Sequence, residues 1–225
     1  MDLSPLYITL KVALIATIIT VFTGIAAARY VVKAKRFKGL IDGLFTLPLV
    51  LPPTVVGFFL LTAFGRNSFL GQLLMRFSIN VVFTWVGAVI ASAVVSFPLM
   101  YRTVRGAFEQ LDINIVNAAR TLGIAESKIF WTIIIPNILP GIIAGTVLSF
   151  ARALGEFGAT IMLAGNIPGR TQTMAIAVYT AVQSGENEKA YYWVLIICIM
   201  SFTAMILMNF WNSVQNKRTV KRGDF

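Results

Sequence analysis

The stretch NAARTLGIAESKIFWTIIIP, residues 117–136, interrupts an otherwise oily chain with a few water-compatible helical turns. Asp112, ahead of INIVNAARTL, carries the short side-chain oxygen that caps a helix N-terminus. Ile115, Ala118, Ala119 and Leu122 recur at i, i+3, i+4 and i+7, which predicts one shared helix face. The two alanines in its middle would let another surface approach closely. Gly123 stands where a helix ends in a left-handed residue, a conformation that costs glycine nothing. ESKIFWTIII then predicts a second helix that runs back into apolar sequence and meets Pro136. The segment reads as helix, sharp corner, helix. It forms a knob without catalytic groups, suited to mechanical contact, although a plain connection between two spans fits the same residues.

The whole chain explains why such a knob is unusual. Of 225 residues, 57% are hydrophobic and 12% charged, against roughly 45–50% and 25% in soluble domains. The apolar residues fall in long runs, so the fold class is an all-α integral membrane protein. Five runs approach spanning length, at 6–28, 40–64, 81–101, 138–164 and 191–211. The chain holds no histidine and one cysteine, Cys198, inside an apolar run. That removes zinc sites, disulfide frameworks and imidazole catalysis, and no metal, cofactor or catalytic residue is expected. No G-x-x-x-x-G-K-[ST] loop occurs, so the chain lacks that route to ATP.

The net charge of +10 is decided by position. Thirteen Lys and Arg fall in the first and third connections and the tail, four in the second and fourth connections, and Lys11 and Arg152 within spans. The positive-inside rule then places the N-terminus outside and the C-terminus in the cytoplasm. The basic segments are short and lie next to spans, which favours lipid headgroups over nucleic acid. The MDLSP start carries Asp2 and no cation, so the first span is expected to be retained rather than cleaved. In the second span, LPLVLPPTVVG holds Pro48, Pro52, Pro53 and Gly57, and a break there should face protein or a water-lined cavity. Phe69, Leu70, Leu73, Leu74 and Phe77 form an apolar helical pattern in the second connection, at the interface or re-entering.

Residues 117–136 resemble the EAA motif of type I ABC importer permeases: E-A-A, three residues, G, nine residues, I-x-L-P. Ala118, Ala119, Gly123, Ile133 and Pro136 stand in register, and the sequence departs at Asn117 (Glu in the pattern) and Ile135 (Leu). PLVLPPTVVGFFLL, SFPLMYR and LPGIIAGTVLSFARALGEFGATIMLAGNIPGRTQT are similar to molybdate ABC-transporter permeases over nearly the whole chain. The resemblance implies a single permease domain over 1–225, a cytoplasmic coupling loop at 102–136 and a short basic tail at 212–225. It implies a channel-forming homodimer, driven by two cytoplasmic ATPase subunits and fed by an extracytoplasmic oxyanion-binding protein. Asn117, Ala118, Ala119, Gly123, Ile133 and Pro136 would carry the coupling contact. Sulfate, thiosulfate or methionine permeases are alternatives of the same class. A secondary transporter or channel is a different class, disfavoured by five spans without a paired inverted half, and a scaffold subunit is a third.

In the fourth span, Gly141, Gly145, Ser149, Arg152 and Glu156 follow helical steps on one face. The glycines permit close packing. Arg152 and Glu156 read as mid-membrane charges that need partners, most simply each other at i, i+4. With Pro52, Pro53 and Ser149 they form the candidate translocation path, on a face expected to line the interface between two copies.

Overall fold

The computed structural model describes residues 2–34 and 36–220, with side chains to residue 206 apart from Lys35. Among the described residues there are eleven α-helices, one π turn and no strand. Four helices are long and apolar enough to cross a membrane, and a bent pair supplies a fifth passage if it counts as one span. The five-span expectation therefore holds, with shifted bounds.

The centre of the molecule is α5 (Trp85–Glu109), packed against α1 (Ser4–Lys33) and α8 (Ile135–Leu154). Lipid tails are as apolar as leucine, so helices in a membrane gain most from close approach of small side chains. The contact surfaces here are of that kind. Ala88, Ala91, Ser92 and Ser96 of α5 are buried, as are Ala13, Ala16 and Ala28 of α1. A Cβ on Gly24 would sit 2.7 Å from Met100 Cγ, one on Gly145 2.8 Å from Met100 Sδ, and one on Gly141 2.5 Å from Ala107 Cβ. The small face of α8 is thus consumed by α5 of the same chain. This corrects the expectation that it meets a second copy.

The fourth span is displaced from 138–164. It begins at α7 (Glu126–Ile129), continues through a π turn (Phe130–Ile134) into α8, and stops at Leu154. Residues 155–157 break the chain before a short helix, α9 (Gly158–Ala164). The third span moves likewise, from 81–101 to Trp85–Glu109, with Thr84 capping its start.

The second span is the bent pair α2 (Lys38–Val50) and α3 (Pro53–Phe64), at 111° to one another. Pro48 stays inside α2, and the break falls on extended Leu51 and Pro52. Neither Pro52 nor Pro53 has an N–H to strand there. This break faces the one at 155–157. A Cβ on Gly158 would lie 3.0 Å from Pro53 Cβ, and one on Gly57 2.8 Å from Ala159 Cα. Two interrupted helices therefore lean on each other, α3 on α9, through glycines.

The remaining elements complete the bundle. The helix α4 (Phe69–Arg76) is capped by Ser68 and exposes Phe69 and Leu70, as its apolar pattern suggested. Then α10 (Met174–Gln183) is tied to α1, because the Thr9 hydroxyl accepts from Met174 N at 2.8 Å while donating to the Pro5 carbonyl. The Lys11 ammonium lies 3.7 Å above the Trp85 ring. The last helix, α11 (Asn187–Val220), carries an exposed Cys198. The expected tail at 212–225 is helical as far as Val220, while Lys217, Arg218, Lys221 and Arg222 lie outside the described side chains.

Gly57→Ile should destabilise the protein by about 1–3 kcal/mol, the usual cost of overpacking, since its Cβ meets backbone rather than a yielding side chain. A lowered melting temperature in detergent, with Gly43→Ile unchanged as the open-space control, checks it.

Candidate functional site

The knob is built as its sequence suggested, with one face turned. Asp112 accepts from Asn114 N at 2.9 Å and starts α6 (Ile113–Thr121). Gly123 has φ of +74°. Gly123 N bonds to the Arg120 carbonyl and Ile124 N to the Ala119 carbonyl, the paired bonds that close a helix on a left-handed glycine. Behind this corner, Val116 and Ala119 are buried with Ile129 against Leu111, Ile124 and Ile133. Ala119 and Ile133 therefore support the knob from beneath, which corrects their placement on the contact surface. Ile115, Ala118 and Leu122 point outward, with Leu122 79% exposed. The reason is geometric: Ala118 and Ala119 differ by about 100° around a helix, so only one can lead the outer face.

Asn117 and Gly123 lie on the outer surface, and Pro136 is exposed just after the π turn. Asn117 Oδ1 accepts from Arg120 Nη1 at 3.0 Å, and the Arg120 guanidinium reaches across the corner to Glu126. The Glu126 carboxylate holds the Arg120 guanidinium above its ordinary pKa. Arg120 and Glu126 thus offset one another within the knob, while Ile115, Ala118 and Leu122 give its exposed surface an apolar stripe.

The second candidate set gathers at the two helix breaks. Arg152 Nη1 stands 2.8 Å from Glu156 Oε2, the internal pair that the spacing predicted. Glu156 is nearly fully buried, whereas Arg152 is 29% exposed. Oε1 accepts from Ala159 N at 2.7 Å and so caps the first turn of α9. Oε2 has the arginine charge beside it but no aligned N–H. Arg152 sits in the last turn of α8 and Glu156 in the break beyond it. They mark the end of a long helix, not its middle, which corrects the mid-span placement. Ser149 is buried, and its hydroxyl reaches the Ser96 carbonyl of α5 at 3.4 Å. Pro53 lies at the facing break beside Gly158, and Pro52 just before it. The structure therefore brings Pro52, Pro53 and Glu156 to one junction and gives Ser149 to helix packing.

One polar cluster escaped the sequence reading. The Arg105 guanidinium contacts Asp42 and stands 3.0 Å from Glu109, which also meets Lys38 at 3.3 Å. Tyr101 donates to Asp42 at 2.9 Å and stacks on Phe97. The cluster fastens the start of α2 to the end of α5. A lone Asp42 at the head of an apolar run was the available signal.

Residues 20–221 match the family described as binding-protein-dependent transport system inner membrane component. The chain belongs to that family. It is a multi-pass inner-membrane permease. It is 46% identical over 206 residues to the molybdenum transport system permease protein ModB of Escherichia coli strain K12, covering 91% of this chain and 90% of the relative. The corresponding protein of Haemophilus influenzae is 41% identical, covering 100% and 99%. The sulfate transport system permease protein CysT of Salmonella typhimurium is 35% identical, covering 95% of this permease and 77% of its own length. Among solved structures, a bacterial ABC transporter that imports alginate gives a TM-score of 0.76 at 13% identity, covering 93% of this permease and 78% of that chain. The methionine transporter MetNI gives 0.66 at 13% identity, covering 91% and 93%. These structures share the fold of the permease.

Glu156→Ala removes both the α9 cap and the partner of Arg152, and should cost about 1–3 kcal/mol as a buried donor loses its acceptor. Glu156→Gln keeps an oxygen for Ala159 N and should retain part of that stability. Detergent unfolding of both variants, with Arg152→Gln/Glu156→Gln alongside, measures the cap and the charge separately.

Proposed function

We propose that this permease is the channel-forming subunit of an ATP-driven importer of molybdate, with tungstate as a close second substrate. The observation that carries the reading is its 46% identity, over 91% of the chain, to a molybdenum permease, against 35% to the sulfate permease. Two copies form the channel, ATP is hydrolysed on a separate pair of ATPase chains, and an extracytoplasmic binding protein delivers the oxyanion. The chain itself is not an enzyme and supplies no catalytic residue. The N-terminus faces outward and the C-terminus the cytoplasm, as the division of Lys and Arg supports. That orientation puts α6 in the cytoplasm, where Ile115, Ala118 and Leu122 offer an apolar knob to a groove of the ATPase. The coupling element is shorter than 102–136 in this reading, because α5 extends to Glu109. The facing breaks at Leu51–Pro53 and 155–157 form the moving joint of the path. Arg152 lends it a positive charge that Glu156 moderates, so the dianion is attracted without being held.

Purified permease and ATPase, reconstituted with the binding protein, should hydrolyse ATP faster with molybdate than with sulfate. Equal stimulation by both would remove the substrate assignment. Ala118→Trp, on the outer face, should cut coupled uptake at least about tenfold while the protein still inserts, whereas wild-type uptake would remove the docking reading. Asn67→Cys should react with an impermeant thiol reagent in intact cells and Ser127→Cys should not, both in a Cys198→Ser background. The reverse pattern would invert the orientation.

A further inference from the structure

Between α1 and the stretch from the π turn into α8 lies an open groove of about 700 Å³. Its walls are apolar: Phe22, Ile25 and Ala26 on one side, Trp131, Leu139 and Ile142 on the other. One end alone is charged, where Arg29 and Lys33 line the same groove one helical turn apart. The Arg29 guanidinium lies 3.9 Å above the Phe130 ring. Neither cation forms a salt bridge with a carboxylate among the described residues. We propose that this groove is a binding site for one anionic phospholipid, with an acyl chain along the apolar walls and the headgroup phosphate on Arg29 and Lys33.

Three features select that occupant. Each wall runs eleven residue steps, from Phe22 to Lys33 and from Trp131 to Ile142, or about 16 Å at the α-helical rise. That is about half of a 30 Å hydrocarbon core, the depth of a single leaflet. A transmembrane helix from a second copy would need a groove roughly twice as long. The charge has the right sign and place: two cations stand at the headgroup end and no carboxylate lines the groove. The reading rests on the proposed orientation, which makes this leaflet cytoplasmic, the side with a negative surface potential.

The groove also touches the coupling element. Phe130 and Trp131 belong to the π turn, and Ile133 and Ile134 of the same turn pack beneath α6. A lipid seated there braces the turn that connects the knob to α8, and so favours the coupled form of the transporter.

The test measures lipid and transport separately. The permease–ATPase complex is extracted from mixed vesicles of phosphatidylglycerol and phosphatidylcholine, and the retained lipid is counted by native mass spectrometry. Near an anionic surface each cation is worth roughly fivefold in affinity, so the wild type should favour phosphatidylglycerol by about 25-fold. Arg29→Gln/Lys33→Gln should bring the ratio close to one, and Ala26→Trp, which fills the groove, should lower total retention of both lipids. ATP hydrolysis should rise with phosphatidylglycerol content in the wild type and not in the double variant. Equal retention of both lipids by the wild type, or an unchanged preference in the double variant, overturns the proposal. So does an Ala26→Cys disulfide between two copies in a Cys198→Ser background, since the second copy would then fill the groove. Lipid retention is read without any oxyanion, so failure of the substrate assignment leaves this result intact, and the reverse.

Discussion

A helix that stops inside a packed bundle leaves backbone donors and acceptors that need other partners. This constraint shapes the permease at its two breaks. At Leu51–Pro53 the answer is subtraction, since two prolines bring no N–H to the site. At 155–157 the answer is addition, since Glu156 turns a carboxylate oxygen back onto Ala159 N. A carboxylate used as a cap must itself be compensated, and Arg152, one turn earlier, supplies the charge. The pair that resembles a lone ion site therefore has a structural duty as well. Removing both charges while keeping two amides separates that duty from any effect on an anion.

Around this junction the fold is governed by side-chain size more than by hydrophobicity. The helix α5 is surrounded by α1, α8, α2 and α9, and half of its buried residues are Ala, Ser or Gly. Glycines at 24, 141 and 145 bring two neighbouring helices onto Met100 and Ala107. Many large side chains face outward: Phe22, Phe58, Phe59 and Phe202 are exposed, as a chain surrounded by lipid allows. Polar ties then fix the ends, with Thr9 on Met174 at one and the Asp42–Arg105–Glu109 cluster at the other.

The sequence was most informative where local chemistry decides the backbone. The cap at Asp112, the left-handed Gly123, the break at Pro52 and the Arg152–Glu156 pair all follow from residue type and spacing within a few positions. It was least informative where a neighbour decides. Nothing in NAAR tells that Ala119 turns inward, because Ile129 and Ile133 take that side from beyond the corner. The glycine face of α8 reads the same whether it meets α5 or another copy. The span limits at 81–101 and 138–164 erred because hydropathy counts apolar residues and does not register a helix that continues through Arg102 or starts at Glu126. Asp42 found its partner 63 positions away, at Arg105, a distance that no local pattern covers.

The run from Glu126 to Leu154 is one span of 29 residues, uninterrupted apart from the π turn. At the α-helical rise it measures about 43 Å. Its lower end is seated in the knob through Ile129, and its upper end carries Arg152 to the break. Pivoted at one end, such a rod converts a rotation of about 5° into a shift of nearly 4 Å at the other, given its length. A small angular movement at the α6 corner would thus reach the end of α8 as a displacement of several ångströms.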